Sequence, residues 1–195
     1  PIGIFYQSDN EHKFFNEKEE TLIGCIAYGF PIGRRVLGSI FKEDLELTTK
    51  NILELTRLVI YDDYGKNIES FVISQSFKWL KKNAPDVKVL ISYADPEQNH
   101  TGKIYQATNW LYQGFDIGRG DAFMYRYPNT EEWLTDRAIG SKLGVNSLHG
   151  VLKKIPDMEY KVKFRKHRYL YFLCSKKEKK RLIKVLKHPL VHYHH

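Results

Sequence analysis

Asp95, Tyr105 and Asn109 belong to a single run, Asp95-Pro96-Glu97-Gln98-Asn99-His100-Thr101-Gly102-Lys103-Ile104-Tyr105-Gln106-Ala107-Thr108-Asn109-Trp110, and Ser92 stands just ahead of it. A carboxylate can accept or orient a proton on a weak nitrogen nucleophile, a phenol can protonate a leaving group, and an amide can hold a polar edge. A second group lies upstream. Lys66, Asn67 and Ser70 place a cation and short polar side chains around Gly65, a composition suited to an anion such as a pyrophosphate. Each residue also has a plainer use. Asp-Pro is a common turn, Asn67 and Ser70 are common helix caps, and Tyr105 and Trp110 are ordinary core aromatics. For Trp110 the core role is the better reading. His100 is a reserve base whose simpler role is a solvated loop histidine.

The elements that must position these groups can be read from the same stretch. Residues 55–61 are β-branched and aromatic, as in a strand. A polar turn over 62–67 leads into a helix over 68–83, whose apolar face is expected from Phe71, Val72, Gln75, Trp79 and Leu80. Asn67 or Asp63 would cap this helix, and Pro85 stops it. Residues 87–93 form a second strand. A short helix over 103–112 puts Tyr105 and Asn109 on one face and closes on Gly114-Phe115. The result is a βαβ unit, which binds anions where its first strand hands over to the helix, with Asp95 at a strand end where ligands collect.

On the N-terminal side, residues 1–6 read as an edge strand and 7–21 as an exposed loop or short helix. Residues 22–30 read as a buried strand whose two glycines admit close packing. Pro31-Ile32-Gly33 breaks it, 34–41 is a short helix and 43–51 a polar connection. Beyond the central unit come a strand over 122–127 and a helix from Glu131, capped by Thr130 and ending near Gly140 or Gly144. A short helix over 147–154 follows. Residues 160–174 alternate basic with apolar side chains, as in a hairpin or one long bent strand with a cationic face. Ser175 then caps a lysine-dense helix over 176–186.

At 195 residues and 42% hydrophobic, the chain suits one well-buried domain with an appendage. No apolar run approaches the ~20 residues of a membrane span, so no membrane partner is expected. The start, Pro1-Ile2-Gly3-Ile4, lacks an initiator Met and a signal-peptide profile and reads as a trimmed end. Cys25 and Cys174 read as two buried thiols of a cytosolic protein. The histidines of the last eight residues read as a tag remnant or ragged terminus, and no ligand spacing argues for a metal. Charge is uneven: residues 151–195 carry 14 basic against 3 acidic side chains, and the first 150 carry 17 against 20. A cationic last quarter points to a polyanion, nucleic acid before a membrane surface.

Three segments resemble the phage Mom DNA-modification family, within the superfamily of GNAT acyltransferase-like proteins. They are Leu55-Thr56-Arg57-Leu58, Asn67-Ile68-Glu69-Ser70, and Ile91-Ser92-Tyr93-Ala94-Asp95-Pro96 continued by the run from His100 to Trp110. Lys166-His167-Arg168-Tyr169 fits the family's basic end. The resemblance implies an α/β (α+β) fold with a GNAT-like central sheet, mixed but mostly antiparallel, flanked by helices. Residues 1–150 would be the catalytic core and 151–195 a basic C-terminal extension packed on it and binding DNA. It implies a transferase that converts adenine N6 in double-stranded DNA to a carbamoylmethyl, glycinamide-like adduct, in the host cytoplasm, as protection against restriction. Asp95, Tyr105, Asn109 and Ser92 would be catalytic. Arg57, Lys66, Asn67 and Ser70 would hold acetyl-CoA or a related acyl donor. Lys163, Arg165, Lys166, Arg168, Lys176, Lys177 and Lys180 would meet phosphates. Two departures stand out: the anion loop offers only Gly65, and Trp110 replaces the tyrosine usual four residues before Gly-Phe. An ordinary GNAT acetylating a small amine or protein N-terminus, and a non-catalytic DNA-binding protein on that scaffold, are the alternatives.

Overall fold

The β-branched and aromatic runs of the first 60 residues form three strands: β1 (Ile2–Gln7), β2 (Glu20–Gly29) and β3 (Ile52–Ile60), with α1 (Val36–Ile40) between the last two. The computed structural model describes residues 1–7, 20–31, 36–42, 46–96, 100, 102–115, 123–162 and 166–193. The region expected as a loop or helix over 7–21 therefore lies largely outside the described residues. After β3 come α2 (Ile68–Asn83), β4 (Val89–Ala94), α3 (Lys103–Ala107) and β5 (Leu111–Phe115). Next are β6 (Phe123–Arg126), β7 (Leu134–Thr135), α4 (Asp136–Leu143) and α5 (Leu148–Lys154). The chain continues with β8 (Glu159–Val162), β9 (His167–Phe172) and α6 (Lys176–Lys184).

These elements fall into two compact units, one made of residues 1–117 and 166–195, the other of 118–165. The boundary expected at 150 thus falls inside the second unit, and the last thirty residues return to the first. The first unit holds a six-stranded sheet in the order β1-β2-β3-β4-β9-β5, in which β3 and β4 are parallel and the other neighbours antiparallel. It is a mixed, mostly antiparallel sheet flanked by helices. The second unit holds an antiparallel sheet, β7-β6-β8, over its own core of Tyr125, Leu134, Ile139, Val151 and Met158. There Trp133 lies between two cations, Arg126 at 4.8 Å and Lys161 at 4.5 Å from its ring centre.

Strand β4 runs through the middle of the larger sheet, with Val89, Leu90 and Ile91 fully buried. Side chains alternate across it, so successive residues enter different cores. One face carries Leu90 with Val72, Ile73, Phe77 and Leu80 of α2, and with Tyr105, Trp110, Tyr112 and Tyr169. The other carries Val89 and Ile91 with Ile40, Ile52, Leu170, Phe172, Leu182 and Leu186. Gly24 of β2 is one of the two glycines expected at a close approach, and a Cβ there would meet the Val59 carbonyl oxygen at 2.2 Å. Gly29 has room for one.

Several boundaries differ from expectation. The buried stripe of α2 is Val72, Ile73, Ser76, Phe77 and Leu80, whereas Phe71 and Trp79 are exposed. The helix is apolar on two sides, and the sheet takes the side carrying Ile73 and Phe77. Helix α3 stops at Ala107 because Asn109 turns into the left-handed region (φ 60°), and the chain from Leu111 pairs with β9 instead. The helix expected from Glu131 begins at Asp136, capped by the Thr135 side chain after the short strand β7, and ends at Gly144. Residues 160–174 form neither a hairpin nor one strand. β8 pairs with β6 and β9 with β4 and β5, so they belong to different sheets. Ser175 caps α6 as expected, and Ser147, expected as the first residue of its helix, caps α5 instead. Both cysteines are free and half-buried. Among the described residues no helix is long and apolar enough to cross a membrane.

Candidate functional site

Strands β3 and β4 run together only briefly, Ile52 to Glu54 beside Val89 to Ile91. Beyond that point β3 follows β2, with Leu55 opposite Tyr28, while β4 follows β9 as far as Ala94 opposite His167. The parallel pair therefore opens at its carboxyl end, where α/β sheets receive ligands. Ser92 stands at the opening. Its Oγ lies 3.1 Å from the Leu55 carbonyl oxygen and 2.8 Å from the Tyr105 hydroxyl. Ser92 Oγ is the donor in both contacts, its single proton serving the Leu55 carbonyl and the Tyr105 oxygen, so the phenol's own proton is not spent on Ser92. Burial is the main force raising the Tyr105 pKa, opposed by the Ser92 hydrogen bond and aided by nearby Glu54. The phenol is thus a hydrogen-bond donor and a reluctant acid toward a thiolate, contrary to the simple proton-donor role. Ser92 itself is 1% exposed and acts through Tyr105.

Asp95 follows β4 directly, and its carboxylate makes a 2.7 Å ion pair with Lys166 Nζ. Lys166, expected on DNA phosphates, is thus engaged as the partner of the expected catalytic carboxylate. The backbone N–H of exposed His100 closes the Asp95 turn on the Asp95 carbonyl at 3.1 Å. Asn109, outside α3 and exposed, does not share a helix face with Tyr105, as the four-residue spacing had implied. Gly102 is needed by geometry: it has φ 72°, and a Cβ on it would lie 2.1 Å from the Tyr169 hydroxyl.

The four residues expected to hold the donor are not all on one side. Asn67 takes a left-handed conformation (φ 65°) at the start of α2, and its side chain makes no capping bond. Ser70 donates to the Asn67 carbonyl at 2.9 Å. The plain capping role for Asn67 is therefore absent, and the first-turn N–H groups receive no cap from its side chain. Lys66 is exposed beside them. Arg57 is exposed too, but strand alternation sets it on the face opposite Leu58 and the core beneath α2.

The cationic set also divides. Lys163 and Arg165 lie outside the described residues. Arg168 is 1% exposed, bonds the Ser39 carbonyl at 3.2 Å and interacts with Tyr93. A guanidinium so enclosed is a structural group rather than a surface phosphate contact. Lys176, Lys177 and Lys180 are exposed on α6, whose Leu182 packs on the aliphatic face of the sheet, away from Tyr105.

Further residues complete the site. Tyr105, Tyr169 and Tyr112 follow one another across the sheet, with ring centres 4.8 and 5.1 Å apart, and the Tyr112 hydroxyl lies 2.7 Å from His167 Nδ1. Tyr193 stacks on Tyr112 and Tyr169, and its hydroxyl donates to the Trp110 carbonyl. Through Lys187, His188 and Val191 the tail also bonds to α1 and β5. Up to Tyr193 it is therefore part of the packing, not a ragged end. Repetition of histidine hid that role, whereas the tyrosine among them was the available signal.

A family model extends over nearly all of this architecture. The model of the Mom protein family matches residues 2–193. The chain belongs to the Mom protein family. It is also 31% identical over 170 residues to the methylcarbamoylase mom of Escherichia phage Mu, an alignment covering 83% of this chain and 63% of that protein. The chain thus spans a little under two thirds of that relative's length. The Mom match takes in both compact units and reaches Tyr193, so the tail that completes the aromatic row lies within the family region.

Proposed function

We propose that this Mom-family chain is a GNAT-like transferase acting on the exocyclic N6 amine of adenine in DNA, with a carbamoylmethyl adduct as product and protection of phage DNA as its use. The observation that carries the reading is the opened end of the parallel strand pair, with the Tyr105–Ser92 hydrogen bond and Asp95 at the close of β4, in a chain of this family. Adenine N6 is a poor nucleophile because its lone pair is delocalised into the ring, and it is hidden in duplex pairing. Asp95 takes the amine's proton as the N6–carbon bond forms, and Lys166 holds the carboxylate in place. Tyr105, kept protonated by burial, donates a hydrogen bond to the negative charge that develops as the donor's leaving group departs with the bonding electrons.

Acetyl-CoA or a related donor fits the start of α2, where the Asn67 side chain does not cap the first-turn N–H groups and Lys66 adds a cation. When bound, an acyl donor would supply an activated carbonyl and leave an acylated N6. The carbamoylmethyl product needs a related donor, such as a glycine-derived one, whose leaving group departs from the methylene carbon that bonds to N6. Arg57 is left out of this set, and the exposed lysines of α6 supply sequence-independent attraction to duplex phosphates.

Mass spectrometry of nucleosides from plasmid DNA tests the reading, comparing cells that make the intact protein with cells that make Asp95→Ala. A heavier deoxyadenosine found only with the intact protein is expected, and its mass identifies the added group. Unmodified DNA together with acetyl-CoA turnover on small amines would replace this reading with an ordinary acetyltransferase.

A further inference from the structure

The aromatic row on the α2 side of the sheet ends at a surface. Tyr105, Tyr169 and Tyr112 are buried, but Phe115, the last residue of β5, is 46% exposed. Its cross-strand neighbour is His167, with ring centres 4.9 Å apart and planes at 47°. His167 is paired on its other side with Ala94, the residue before Asp95, and is preceded by Lys166, the partner of Asp95. Its ring is held by the Tyr112 hydroxyl at Nδ1. An exposed aromatic face, a fixed imidazole and an ion pair thus meet at the carboxyl end of β4.

We propose that Phe115 and His167 form the seat for an extruded purine, stacking its face while Asp95 accepts a hydrogen bond from its amine. The inference rests on the adenine reading and names the residues that would receive the base. A base taken out of the duplex loses its stacking partners, and enzymes acting on such bases replace them with aromatic side chains and read the polar edge by hydrogen bonds. Phe115 can supply the first and Asp95 the second. Of the other exposed large apolar side chains of this unit, Phe71 and Trp79 lie on α2, Phe5, Leu22 and Val59 on β1, β2 and β3, and Val191, in the tail beside β5, is aliphatic and has no π face.

The test uses the full chain in two assays: adenine modification of plasmid DNA, and fluorescence of duplexes carrying 2-aminopurine in place of a modified adenine. Extrusion brightens 2-aminopurine, which lacks the N6 amine and cannot be consumed. Phe115→Ala is expected to keep duplex affinity within about twofold while lowering modification and brightening about tenfold or more, the loss of one base–aromatic stack. Phe115→Tyr should restore both, and Phe115→Leu, which keeps apolar bulk without a π face, should not. Rescue by leucine, or an alanine variant that modifies and brightens like the intact protein, overturns the seat and leaves the adenine reading standing. An intact protein that leaves plasmid adenine unmodified brings down both.

Discussion

On the face beneath α2, Tyr112 and Tyr169 of the sheet pack with Tyr105 of α3 and with Trp110, while on the face beneath α1 and α6 the sheet presents Ile52, Val89, Ile91, Leu170 and Phe172. Both faces are buried, and both rest on the same two central strands. They differ in what burial demands. An aliphatic side chain needs only volume, but a buried tyrosine needs a partner for its hydroxyl. On the aromatic face those partners are present: Ser76 for Tyr28, Ser92 for Tyr105, His167 for Tyr112, Gln106 for Tyr169 and the Trp110 carbonyl for Tyr193. Such a network fixes ring positions in a way that apolar packing does not, as a site for chemistry requires. One face is read here as the reaction side and the other as the support.

The largest expected effect tests that division directly. Tyr105→Phe keeps the ring and removes the hydroxyl, so adenine modification should fall about 10²- to 10³-fold, the usual range for one hydrogen-bond donor to developing charge. Unfolding free energy should change by about 1 kcal/mol, the net worth of one hydrogen bond. Plasmid nucleoside analysis beside a urea titration measures both. A comparable loss of stability would place Tyr105 in the support.

Leu170→Ala is the converse. Leu170 is fully buried on the aliphatic face, and emptying such a site costs about 2–5 kcal/mol. The urea midpoint should drop, while modification per folded molecule at low temperature stays near that of the intact protein. A selective loss of activity would mean the two faces are coupled across β9.

Alkaline pH separates the faces without mutation. Burial pushes the hydroxyls of Tyr28 and Tyr169 up to about 12, and those of Tyr105, Tyr112 and Tyr193 are raised for the same reason. An unfolded tyrosine ionises near pH 10 while its folded counterpart keeps its proton. The stability that Tyr28 and Tyr169 confer is therefore complete below about pH 10 and lost as pH climbs toward 12, at up to about 1.4 kcal/mol per pH unit for each. The other three act in the same direction. Urea midpoints at successive pH values should fall steeply over that window, and Tyr169→Phe should flatten the fall. An unchanged slope in that variant would remove Tyr169 from the effect.

The same contrast explains what could be read in advance. The βαβ core, Pro85 as a helix stop and the cap Ser175 are local features, written within a few residues of where they act. The burial face of α2 was not local. Phe71 and Trp79 are as apolar as Ile73 and Phe77, and the choice between the two stripes is made by the sheet. The end of α3 was hidden for a similar reason, since β9, more than fifty residues on, competes for the backbone after Asn109. Within the site, Ser92 and Tyr105 were both named from the sequence, but their contact was not, since it depends on how α3 folds back on β4. Lys166 and Arg168 looked like equivalent surface cations until β9 was placed between β4 and β5, which gave one to Asp95 and the other to the core.

The smallest expected effect concerns the lysines that remain exposed. Lys177 and Lys180 lie on α6, on the support side of the sheet, so they cannot touch the reacting amine while α6 is packed there. If they meet phosphates, their contribution is counterion release, indifferent to sequence and additive over contacts. Lys180→Ala should then weaken duplex binding equally for all sequences and reduce the slope of log affinity against log salt by about 0.9, with modification at saturating DNA unchanged. Fluorescence anisotropy at several salt concentrations measures the slope. A reduced slope extends the DNA footprint to the support side, so that a duplex must reach past the sheet edge. An unchanged slope releases α6 from DNA and leaves the aromatic face, with Asp95 and Lys166 at its end, as the part of this unit that meets the substrate.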